Sequence, residues 1–156
     1  MDEIYNRYAM TVYRYLYSLS RDPDLAEELT QETFCQAISS AKRFEGRSKV
    51  STWLCGIAKR VYLKYVSKHP GQEELSETAA SGNSAEDSVI ADEAHRELLK
   101  KLHGLKEPER EIMYLRLFGD LSFREIGDIL GITENSARVT YFRTREKLRK
   151  EREKDE

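Results

Sequence analysis

Cysteine is nearly absent: Cys35 and Cys55 are the only two in 156 residues. Two thiols cannot build a disulfide framework, and neither lies in a CxxC pair. His69, His95 and His103 show no ligand spacing with them, so no metal site is expected. The expectation is two reduced, half-buried thiols. Proline occurs only at Pro23, Pro70 and Pro108, each where a helix should begin or end. Strand-like alternation is missing, which excludes a sheet protein and predicts an all-α fold. No apolar run is long enough to span a bilayer, and the opening MDEIYNRY has no apolar signal core. A cytoplasmic chain with no direct membrane insertion is expected. There is no Ser–His–Asp set, P-loop or metal-spaced cluster, so no catalysis and no cofactor are expected.

A strong net charge is also missing. The chain carries −2 overall with 35% charged residues. That total hides a division. Residues 45–69 carry +5, residues 70–93 carry −7, and residues 94–156 carry +2. The acids of one segment mask two basic surfaces, and distribution decides where a polyanion docks. Residues 71–88, GQEELSETAASGNSAEDS, hold almost nothing that packs. Such a composition reads as a flexible linker. The expected division is a helical domain at 1–70, an acidic linker at 71–93 and a second helical domain at 94–156.

What is present is best seen from Leu121 to Lys150, LSFREIGDILGITENSARVTYFRTREKLRK. Ser122 and Glu125 have the spacing of a capping box. Ile126, Ile129 and Leu130 supply one apolar face, and Gly131 suits the left-handed residue that ends a helix. Thr133 is placed to cap a following helix, where Ala137, Tyr141, Thr144 and Leu148 recur on one side. Helix, Gly-containing turn and helix is the helix-turn-helix pattern, whose second helix enters the major groove. The opposite face carries Ser136, Arg138, Val139, Phe142, Arg143 and Lys147. From Asn135 to Lys150 there are six basic residues and one acid, Glu146. Arginines read guanine edges or neutralise phosphates, and Val139 and Phe142 suit thymine methyls or sugar edges.

The first seventy residues hold three helical stripes. Ile4, Tyr8, Val12, Leu16 and Leu19 form the first, which Asp22-Pro23-Asp24 breaks. Asp24 and Glu27 have capping-box spacing for the second helix. Its inner side is read as Leu25, Leu29, Phe34, Ala37, Ile38 and Ala41, and its outer side as Glu27, Glu28, Gln31 and Glu32. By composition alone that outer side is a solvated face. The third helix begins near Ser51 with Trp53, Leu54, Ile57, Ala58, Val61 and Tyr62 inward; Trp53 is read as core. Lys59, Arg60, Lys64 and Lys68 leave its other side basic. Before it lies the loop Glu45 to Val50, with Arg47, Ser48 and Lys49. A basic loop and helix with Tyr62 and Tyr65 nearby suit a single strand held by phosphate neutralisation and stacking.

These signatures, in this order, resemble a bacterial RNA polymerase sigma factor of the extracytoplasmic-function (ECF) group of the sigma-70 family. The run Asp24 to Phe34, DLAEELTQETF, is similar to the family's polymerase-docking helix. Arg43 to Gly46, then Ser51 to Leu54 with Ile57 and Ala58, is similar to its −10 reading region. Leu105 to Lys150, with PERE at Pro108 to Glu111, LSFREIG from Leu121 and FRTRE from Phe142, is similar to its −35 reading domain. The resemblance implies a three-helix sigma region 2 at 1–70 and a helix-turn-helix sigma region 4 at 94–156. It implies that Asp24, Glu27, Glu28, Gln31 and Glu32 meet the clamp helices of the β′ subunit of core RNA polymerase. Arg47, Ser48, Lys49, Lys59, Arg60 and Lys64 would lie along the −10 strand of promoter DNA, with residues 45–50 capturing a flipped base. Ser136, Arg138, Val139, Phe142, Arg143 and Lys147 would read the −35 duplex. Apolar residues around Ile112 to Phe118 would meet the β flap, and an anti-sigma factor is an implied partner. The chain departs from the family in carrying Arg60 where Asn is frequent, and in its own loop sequence at 45–50. The middle domain of housekeeping sigma factors is missing.

A different class also fits part of the pattern: a stand-alone helix-turn-helix regulator with an N-terminal helical sensor or dimerisation domain. It leaves the basic loop and helix at 45–68 without a purpose.

Overall fold

The computed structural model describes residues 2–44, 46, 49–70 and 93–155. Every regular element among them is helical: α1 (Asp2–Ser20), α2 (Pro23–Ser39), a 3-10 turn (Ala41–Arg43), α3 (Val50–Lys68), α4 (Glu93–His103), α5 (Glu109–Leu117), α6 (Phe123–Leu130) and α7 (Glu134–Asp155). Most of the expected linker, residues 71–92, lies outside the described residues.

Helices α1, α2 and α3 pack mutually. Val12, Leu16 and Leu19 of the first stripe are buried, and Ile4 and Tyr8 pack at its open end. Leu54, Ile57, Ala58 and Val61 close the core from α3. Burying each large aliphatic side chain contributes about 1.5–3 kcal/mol, enough to hold three short helices together. Trp53 packs half-buried against Phe44, with ring centroids 4.7 Å apart.

Two details of α2 differ from the sequence reading. The cap is Asp22, whose carboxylate accepts from the N–H groups of Asp24 and Leu25 at 3.1 and 3.3 Å. Pro23 therefore takes the first helical position, where its missing N–H costs nothing. On the inner side, Ala26, Leu29, Phe34 and Ala37 are buried, but Ile38 is 57% exposed and Ala41 lies beyond the helix end. Thr30 and Thr33 fill the inner face instead. Each hydroxyl donates to the carbonyl four residues back, at 2.6 and 2.7 Å, so the buried oxygens keep partners.

The two thiols also divide unequally rather than sharing a half-buried state. Cys55 is fully buried against the α1–α3 core and Cys35 is exposed on α2. Burial pushes the Cys55 thiol up to about 12.

In the second half, α5 lies centrally, touching α4, α6 and α7. Leu102, Ile112, Leu115, Leu121, Ile126 and Ala137 are its innermost residues. The two halves are in contact, α1 against α5 and α3 against α6.

Candidate polymerase and nucleic-acid interfaces

The helix-turn-helix forms with the local chemistry that its sequence dictates. The Ser122 hydroxyl accepts from the Glu125 N–H at 3.1 Å, and the Glu125 carboxylate accepts from the Ser122 N–H at 2.9 Å. Gly131 ends α6 at φ +75°, a conformation costly for any residue with a Cβ. A Cβ on Gly127 would stand 2.6 Å from the Ile132 carbonyl oxygen, so a glycine here lets the turn fold tightly back on α6. The Thr133 hydroxyl then accepts from the Ser136 N–H at 3.0 Å, fixing the start of α7.

Ala137, Tyr141, Thr144 and Leu148 are buried, as their recurrence requires. That register turns Ser136, Arg138, Phe142, Arg143 and Lys147 outward, with Val139 partly covered. Arg138, Val139, Phe142, Arg143, Arg145, Glu146 and Arg149 line an open groove of about 830 Å³. Phe142 is 48% exposed, a large apolar surface left in water. It packs edge-on to Tyr141 at 5.2 Å and against Phe123 at 5.8 Å, which fixes its direction. Arg138 pairs with Glu134 at 3.0 Å, and Arg149 bridges Glu146 and Glu153. These are exposed ion pairs, weak enough to yield to a phosphate. Lys147 lies on the same outward side, one turn beyond Arg143.

On α2, Asp24, Glu27, Glu28, Gln31 and Glu32 are all exposed on one side of the helix. The buried polar residues of this helix, Thr30 and Thr33, lie on the opposite side. Four carboxylates on one wet face make a surface suited to a basic partner helix.

The basic face of α3 is less open. Arg60 and Lys64 are exposed, whereas Arg47 and Ser48 lie outside the described residues. Lys49 Nζ donates to the Asp120 carbonyl at 2.8 Å. Lys59 Nζ reaches both oxygens of Glu111, at 2.9 and 3.1 Å. The Tyr62 hydroxyl donates inward to the Leu19 carbonyl at 3.1 Å, and Tyr65 stacks on His69 at 4.1 Å. Tyr62 therefore ties α3 to α1 and is not a free stacking platform for a base.

Sequence reasoning missed the residues that join the halves. Tyr15, on the buried side of α1, donates from its hydroxyl to Glu111 Oε1 at 2.5 Å. Burial first, and the Glu111 charge second, push the Tyr15 phenol well above its ordinary range, so it stays a donor. Arg110 Nε donates to the Ser18 carbonyl at 2.6 Å, and Arg21 donates to the His103 carbonyl at 2.8 Å. Thr52 hydrogen-bonds Glu125, the capping-box acid. A charged pair opening an apolar run, Arg110-Glu111 before Ile112, was the signal available in the chain.

Comparison with known proteins agrees with this architecture. The Sigma-70 region 2 family matches residues 4–70, and the Sigma-70, region 4 family matches residues 95–148. The ECF RNA polymerase sigma factor SigM of Bacillus subtilis is 31% identical over 96% of this chain and 93% of its own length. SigW of the same organism is 29% identical over 96% of this chain and 87% of its own. The sigma factor RpoE of Bartonella quintana, solved in complex with the anti-sigma factor NepR, has the same fold. Its TM-score is 0.73 at 21% identity, covering 96% of this chain and 94% of that one. The chain belongs to the sigma-70 family, in its ECF group. Among the described residues no helix is long and apolar enough to cross a membrane.

Proposed function

We propose that the chain binds core RNA polymerase and directs it to promoters by reading a −10 and a −35 element. The observation that carries this reading is the pairing of two unlike faces on one chain. One is the acidic side of α2 (Asp24, Glu27, Glu28, Gln31, Glu32), which suits a protein partner and repels DNA. The other is the outward side of α7 (Ser136, Arg138, Val139, Phe142, Arg143, Lys147), which suits a major groove. A stand-alone regulator needs the second face and has no use for the first.

Residues 1–70 form the polymerase-docking and −10 unit, residues 71–93 the linker, and residues 94–156 the −35 unit. Arg47, Ser48, Lys49, Lys59, Arg60 and Lys64 lie along the −10 strand. The chain performs no covalent chemistry. Its work is to hold two DNA elements and a melted strand in register, each contact made stronger by tethering to one polymerase. The site of action is the cytoplasm, where core polymerase and promoters are. An anti-sigma factor is the fitting regulator, by analogy with the NepR-bound relative. The apolar stretch Ile112 to Phe118, expected to meet the β flap, is mostly core: Ile112, Met113, Tyr114 and Leu115 are buried, which leaves exposed Leu117 at the end of α5 as its flap contact.

The test is retention of the full-length chain on immobilised core RNA polymerase. Wild type is retained, and Glu28→Lys/Glu32→Lys is lost while its circular dichroism is unchanged. Equal retention of both proteins, or of neither, contradicts the proposal.

A further inference from the structure

Glu111 is an unusual place for a carboxylate. Its side chain is 3% exposed, and it opens the most apolar stretch of α5. An unpaired charge there is strongly destabilising, so its partners are obligatory. Two of the groups that satisfy it, the Tyr15 hydroxyl and the Lys59 ammonium, come from the other half of the chain. The seam around it is continuous. Arg110 holds the end of α1 at the Ser18 carbonyl, and Arg14 lies over the Phe118 ring at 5.0 Å. Tyr17 and His103 meet edge-on at 4.8 Å. At the other end, Thr52 bonds Glu125, and Lys49 bonds the Asp120 carbonyl.

The seam therefore consumes cations that a nucleic-acid strand needs. Lys59 is only 20% exposed with its charge neutralised, and Lys49 is committed to the turn before α6. The Thr52 hydroxyl, at the start of α3, is spent on an acid. We propose that this seam is an autoinhibitory latch, in which the C-terminal half, through Glu111, Glu125 and the Asp120 carbonyl, occupies Lys59, Thr52 and Lys49 of the strand-binding face and leaves Arg60 and Lys64 open. Single-stranded DNA and Glu111 compete for Lys59. The α2 acids stay exposed in the closed state, so a protein partner can be engaged before the latch opens. The inference rests on the strand-binding reading of α3 given above.

The test uses the full chain on a Cys35→Ser background, because Cys55 is buried and Cys35 is exposed. Lys49→Cys/Asp120→Cys places two thiols across the seam, and a short bismaleimide bridges them. Binding of a fluorescent mixed-sequence single-stranded DNA is compared for bridged and unbridged samples of the same protein. The bridged form is expected to bind at least about tenfold more weakly. Its log–log salt slope is expected to be shallower by roughly 0.7, the share of the single phosphate that Lys59 neutralises when free. A second variant, Glu111→Gln, keeps an acceptor for Tyr15 and removes the charge. It is expected to bind more tightly than wild type with the same slope, because both bound forms place the same Lys59 on a phosphate and differ only in the cost of freeing it. Equal affinity and slope in bridged and unbridged samples overturn the latch and leave the strand-binding reading standing. Binding by neither sample, nor by wild type, overturns the strand-binding reading and the latch with it.

Discussion

Replacing Arg110 by Met tests whether one buried cation joins the halves as described. The guanidinium is 6% exposed and has three acceptors: the Ser18 carbonyl at 2.6 Å, the Leu105 carbonyl at 2.8 Å and the Glu107 carboxylate at 2.7 Å. Methionine keeps the aliphatic stem and removes every donor. The two carbonyls then stay buried without this partner, at about 1.5–3 kcal/mol each for a bond to a charged donor. Glu107 is 44% exposed on its side chain and recovers water, so its ion pair adds little. The loss comes to about 3–6 kcal/mol for the two bonds together. For a chain of this size that lowers the melting temperature by roughly 10 °C. Part of the loss falls on the seam, through Ser18, and part on the loop before α5, through Leu105. Urea unfolding followed by circular dichroism is therefore expected to become less cooperative, the C-terminal half melting first. A midpoint within error of wild type would refute the reasoning, because it would mean that Arg110 donates to nothing that water does not satisfy equally well.

Other outcomes follow from single contacts. Thr133→Ala removes the acceptor for the Ser136 N–H and should lower stability by about 1 kcal/mol, read as a shifted urea midpoint. Thiol titration of the native protein near neutral pH should modify Cys35 rapidly and Cys55 only on unfolding. Its thiol at about 12 and its burial both disfavour the reactive thiolate. Two thiols reacting at the same rate would contradict the described core. The Glu125 carboxyl is held below the ordinary range: partial burial opposes this, but hydrogen bonds from Thr52 and Ser122 prevail. A depressed carboxylate stabilises the fold above its unfolded value and loses that contribution as pH falls through its folded value. The stability gap between wild type and Glu125→Gln should therefore shrink below about pH 4. A gap that stays constant into acid counts against the paired capping box.

The sequence made the helix-turn-helix legible almost to the atom, because its signals are local. Ser122 and Glu125 find each other three residues apart, and Gly131 and Thr133 act on the next residues along the chain. The four-residue recurrence through Ala137 and Leu148 fixes which side of α7 faces water. Local signals also misled at α2, where Asp24 and Glu27 had the spacing of a cap but Asp22 held the geometry that Pro23 requires. Ile38 looked like core by type, yet the helix turns Thr30 and Thr33 inward because their hydroxyls return to the backbone. The seam was not legible. Tyr15 and Glu111 are 96 residues apart. No periodicity in either helix distinguishes a buried carboxylate with partners from an exposed one. Lys59 illustrates the point: its charge marked it for a phosphate, and only the folded chain shows the carboxylate that it meets.

Run-off transcription addresses the central claim most directly. Purified core polymerase is combined with the full chain and sheared DNA from the source organism, and transcript 5′ ends are mapped. Wild type is predicted to create start sites absent with core alone, preceded by a shared upstream element. Arg138→Ala/Arg143→Ala is predicted to remain on core and lose those starts. Start sites identical with and without the chain, or unchanged by the arginine substitutions, would contradict the account.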